Sequence, residues 1–149
     1  MPETDHSTWE YSLHIPNDPR AVTVTRRTLR LILTLHGLIG LVDTAELLAT
    51  ELISNAVRHT KGPAALRVRL SAGVLRIGAW GADPAPPEPP AALEDLAEQE
   101  DGRGLLLVKA CADLWGWQPL SRDGNRGKVV WCELSAVGSQ LAASTSALS

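Results

Sequence analysis

Two β-hairpins constrain what this chain can fold into more than any other feature of its sequence. Leu66 to Leu70 and Val74 to Trp80 are short strand-like runs joined at Ala72-Gly73, which is hairpin spacing. Trp115 to Leu120 pairs in the same way with Lys128 to Leu134 across the glycine-rich turn Arg122 to Gly127. Ahead of both, Trp9 to Ile15 alternates apolar and polar residues (Trp9, Tyr11, Leu13, Ile15), the period of a half-buried strand. Two helical patterns lie between that strand and the first hairpin. After the turn Pro16-Asn17-Asp18-Pro19, in which Pro19 suits the first position of a helix, Val22, Leu29, Ile32, Leu33 and Leu35 fit a helix that stops at Gly37. A second predicted helix starts at Asp43, a good N-cap, with Glu46 three residues on as in a capping box; it runs to about Thr60. These elements predict an α/β two-layer sandwich of the α+β class: a mixed, mostly antiparallel sheet covered on one face by helices.

The 149 residues make one domain, 9–135, between short flexible tails at 1–8 and 136–149. The formal net charge of −3 supplies no basic field for nucleic acid or an anionic membrane, so neither is an expected partner. Phosphates, if bound, must be met by backbone amides, a metal ion and a few placed side chains. Cys111 and Cys132 have no metal-ligand spacing and read as two small buried hydrophobes. With an acidic N-terminus and no apolar run of membrane-spanning length, the chain is expected to be cytoplasmic.

The segment Glu51-Leu52-Ile53-Ser54-Asn55-Ala56-Val57-Arg58-His59 carries the most chemistry. On a helix, Glu51, Asn55 and Arg58 or His59 share one face, while Leu48, Leu52 and Ala56 take a neighbouring, buried one. An amide oxygen is a hard ligand suited to Mg²⁺. A carboxylate one turn away can accept a proton from an attacking hydroxyl. The alternative is a solvated stripe with a weak Glu51–Arg58 attraction. Further on, five prolines (Pro84, Pro86, Pro87, Pro89 and Pro90) and the acidic stretch Glu94 to Asp101 interrupt the pattern; a loop this long is usually a lid or binding loop. Gly102-Arg103-Gly104-Leu105 then opens an apolar helix, and free amides at a helix start attract anions. No Walker-type loop occurs.

Leu47 to Thr60, LLATELISNAVRHT, resembles the N box of the ATPase superfamily of gyrases, heat-shock chaperones, histidine kinases and mismatch-repair proteins. GRGLLLVKACADLWG (102–116) resembles the second glycine box of the anti-sigma-factor serine/threonine kinases, and GKVVWCEL (127–134) looks like that branch's closing strand. The resemblance implies an ATP- and Mg²⁺-binding protein kinase, with Glu51 as general base and Asn55 as the metal ligand. It arranges Asn55, Arg58, His59, Gly81, Asp83, Gly102, Arg103, Gly104 and Leu105 around the nucleotide, under a lid formed by 81–101. It also implies two partners, a sigma factor and a small antagonist (anti-anti-sigma) protein, and such kinases commonly act as homodimers. One position departs from the family: Gly81 stands where an aspartate accepts the adenine amino group, and Asp83 lies two residues on. An aspartate at position 81 is therefore expected to tighten ATP binding. The competing expectation is a degenerate, non-catalytic partner-binding protein on the same fold.

Overall fold

The computed structural model describes residues 8–57, 62–85 and 107–136. Its five strands are β1 (Trp9–Ile15), β2 (Ala64–Ser71), β3 (Val74–Gly81), β4 (Leu114–Pro119) and β5 (Lys128–Ser135). They form one sheet in the order β1-β2-β3-β5-β4, and all four pairings are antiparallel. The parallel pairing that a mixed sheet would need does not occur among the described strands. Helices α1 (Pro19–Leu35) and α2 (Val42–Val57) lie on one face. No described helix is long and apolar enough to cross a membrane.

Local chemistry explains where each element begins and ends. Asp18 caps α1, its carboxylate accepting the Arg20 N–H at 2.9 Å, and Pro19 follows at the first helical position. The helix stops as expected at Gly37, which takes φ +78° and donates its N–H to the Thr34 carbonyl, while Leu38 N–H reaches back to Leu33. This double closure buries Leu38 beside the end of the helix it terminates. Both hairpin turns use two left-handed residues, Ala72 and Gly73 (φ 52° and 75°) in the first, Asp123 and Gly124 (φ 50° and 81°) in the second. Turns of that hand match the right-handed twist of the strands they join.

The start of α2 differs from expectation. A 3-10 turn, Ile39–Leu41, runs directly into it, so Asp43 lies inside the first turn and does not cap it. Glu46 turns away from the helix start to α1, where Arg30 Nη1 donates to its carboxylate at 2.9 Å and to that of Asp43 at 3.3 Å. The Glu46 carboxylate, more than Asp43, holds the Arg30 guanidinium above its ordinary pKa.

The core lies between helices and sheet. Leu29 and Leu33 of α1 and Leu48, Leu52 and Ile53 of α2 meet Leu66, Val68, Leu75, Ile77, Val130 and Cys132. The period-2 phase of β2, β3 and β5 puts these strand residues on one face. Burial pushes the Cys132 thiol up to about 12. Cys111 is exposed, so the expectation of two buried cysteines holds for Cys132 alone. Ala136, where a flexible tail was expected to begin, is buried and donates its N–H to Gly73 at 2.8 Å.

Candidate functional site

The last two turns of α2 carry Glu51 and Asn55, one helical turn apart and both half-buried. Their orientation follows from the apolar residues beside them: Leu48, Leu52 and Ala56 are buried, as expected, and Ala45, Ala49 and Ile53 join them. Two described side-chain atoms are buried without a hydrogen bond, Arg26 Nε and Asn55 Oδ1. Arg26 Nε has Glu46 Oε1 at 3.8 Å, so Asn55 Oδ1 is the one of the two without a salt-bridge partner of this kind. Leaving a buried acceptor unmade costs about 1–3 kcal/mol. An amide oxygen held there without a hydrogen-bond partner suits a hard cation, so the residue fits the Mg²⁺ role that the resemblance assigns it. Arg58 and His59 lie outside the described residues, as do Gly102, Arg103, Gly104 and Leu105 and all of the expected lid after Ala85.

The end of α2 rests directly on the end of β3, and Gly81 makes this contact possible. A Cβ at position 81 would overlap the Ala56 carbonyl oxygen and lie 2.9 Å from its carbonyl carbon. Gly127, opening β5, is confined in the same way by Gly81 and the Trp80 indole. The two glycines thus permit three backbone segments to converge. This corrects the expectation for position 81: an aspartate placed there would meet helix backbone, with no room to reach a base.

β3 ends at Gly81 and the chain bends at Ala82, so Asp83 does not lie along a continued strand. Its Oδ1 accepts the Ala85 N–H at 3.0 Å, closing a local turn. Its backbone carbonyl accepts from Lys128 Nζ at 3.1 Å. Lys128 is paired with Gly81 across the ladder and only 5% exposed; burial pulls its ammonium below the ordinary lysine pKa, against the opposing attraction of Asp83. Sequence reasoning missed this lysine as part of the site. The signal was present, since Lys128, Val130, Cys132 and Leu134 share one phase of the strand and the last three are buried.

The described elements form a two-layer α+β fold with an unpaired asparagine oxygen on the covering helix. A family model described as the histidine kinase-like ATPase domain matches residues 15–133. The chain belongs to that family. No curated protein matches it in a sequence comparison.

Proposed function

We propose that the protein is an ATP- and Mg²⁺-dependent serine/threonine protein kinase of the anti-sigma-factor type, which sequesters a sigma factor and phosphorylates a small antagonist protein. The observation that carries this reading is the orphaned Asn55 Oδ1, one turn beyond Glu51, in a domain of the histidine kinase-like ATPase family. Asn55 would hold Mg²⁺, which supplies charge neutralisation on the triphosphate. Glu51 accepts the proton of the partner's hydroxyl as its oxygen bonds to the γ-phosphorus; the bond from that phosphorus to the bridging oxygen breaks, and ADP leaves. Gly102, Arg103, Gly104 and Leu105 would offer backbone amides to the phosphates, with Arg58 and His59 beside them. Titration calorimetry with ATP and Mg²⁺, followed by phosphate transfer to a serine-bearing antagonist, tests the reading. Metal-dependent binding and transfer are expected; transfer undiminished in Glu51→Gln would overturn the role of the base.

A second reading keeps the scaffold without turnover, as a partner-binding protein. The contact between Gly81 and the Ala56 backbone favours it, because the family's adenine acceptor is missing and its place is filled by helix. Absence of binding at millimolar ATP with Mg²⁺ is its expected result.

A further inference from the structure

We infer that the open face of the sheet is a docking surface for an acidic segment of a partner protein that also carries apolar side chains. This face is the one turned away from α1 and α2, so the inference does not rest on the nucleotide reading. Strand phase creates it: Arg67 and Arg69 of β2, Arg76, Gly78 and Trp80 of β3, and Val129 and Trp131 of β5 all point opposite to the core. Among the described residues they line a groove of about 160 Å³, which Arg122 also borders.

Charge is concentrated here against the trend of the whole chain. Arg67, Arg69, Arg76 and Arg122 gather here beside Glu10 and Glu133, in a protein whose formal net charge is −3. Nor are the guanidiniums used up by those carboxylates. Arg67 is 64% exposed and reaches Glu10 only at 4.0 Å; Arg76 is 3.6 Å from Glu133. Arg69 and Arg76 also stand directly opposite each other in the ladder, at the middle of a row that Glu10 closes beside Arg69 and Glu133 beside Arg76. Like charges in that relation destabilise a sheet, and a bound anion would relieve them.

The groove also has an ordered apolar floor. The Trp131 ring lies across Gly116, where a Cβ would come within 2.9 Å of its Cε2, and the Arg76 guanidinium stacks 3.9 Å from the ring centroid. Trp80 is fixed by donating its Nε1–H to the Leu120 carbonyl at 2.6 Å. Small residues make this packing possible: Gly116 leaves room for the Trp131 ring, and Ala65 and Gly78 line the groove beside it. Arg76 is thus held in place before any ligand arrives, which lowers the ordering cost of binding.

Fixed guanidiniums around indole rings suit carboxylates interleaved with apolar side chains. A second copy of this chain is the poorer occupant, because two-fold pairing of this face would bring the arginines against themselves. A nucleic acid is poorer too, since the basic patch is too short to follow a phosphate backbone.

Fluorescence anisotropy of the full chain with a labelled peptide of alternating Glu and Leu tests the inference. Binding that weakens with added salt is expected, as is its loss when the glutamates are replaced by glutamine. Arg69→Glu should weaken binding roughly tenfold or more, as expected for a lost charged hydrogen bond. It should leave the protein folded, because it trades the like-charge pairing with Arg76 for one with Glu10, the residue's other ladder partner; Arg67→Gln, which creates no such pairing, serves as a second exposed-site variant. Equal affinity for the glutamine peptide, or no effect of either variant, would overturn the proposal. So would preference for a single-stranded oligonucleotide, or self-association on sedimentation that Arg69→Glu abolishes.

Discussion

The two halves of α2 treat their polar side chains in opposite ways. In the first half, Asp43 and Glu46 meet Arg30, and Glu46 also lies near Arg26. In the second half, Asn55 keeps a buried oxygen with no hydrogen-bond partner. The first half is organised to hold two helices together. The second carries a local cost that nothing described in the fold offsets, the usual mark of a position kept for a ligand. One helix is thus a strut at its start and, in the proposed reading, a site at its end.

The strongest way to break this comparison is Glu51→Gln. If the second half is catalytic, phosphate transfer should fall by about 10²–10⁴-fold, the usual worth of a general base, while nucleotide binding measured by calorimetry persists. Asn55→Ala comes next. Mg²⁺-dependent nucleotide affinity should drop by roughly a hundredfold or more, with the thermal midpoint unchanged or raised because an unpaired buried acceptor has gone. Equal and modest effects of both substitutions would reduce the Glu51–Asn55 stripe to a solvated helix face. Gly81→Asp sharpens the boundary between helix and strand. It should cost about 1–3 kcal/mol in chemical denaturation, as overpacking does, and bring no gain in ATP affinity. Tightened, adenine-selective binding would show that α2 yields at this contact. The smallest effect belongs to the strut: Arg30→Ala should leave the thermal midpoint nearly unchanged, since its ion pairs are solvent-exposed and screened.

Much of the fold was legible in the sequence because its signals are local. The hairpins were set by strand phase and by Ala72-Gly73, and the end of α1 by Gly37. Asp43 misled because a capping-box spacing carries no information about the 3-10 turn before it, which had already started the helix. The site was legible only as residue types. Glu51 and Asn55 could be placed on one face from their spacing, but the isolation of Asn55 Oδ1 depends on what surrounds it. Gly81 was noticed as a missing aspartate; that it makes room for Ala56 is a fact about a neighbour far away in sequence. Lys128 was hidden in the strand quoted for its resemblance, although the alternation along that strand already turned it inward.

The unequal fates of the two thiols give the molecule a built-in clock. Cys111 is open to solvent, so an alkylating reagent can modify it in the folded protein. Cys132, fully enclosed and kept as the unreactive thiol, becomes available only when the sheet opens. With Cys111 blocked, the rate at which the remaining sulfur is trapped reports how often the core comes apart. The same measurement with and without nucleotide would show how far a ligand on α2 slows that opening.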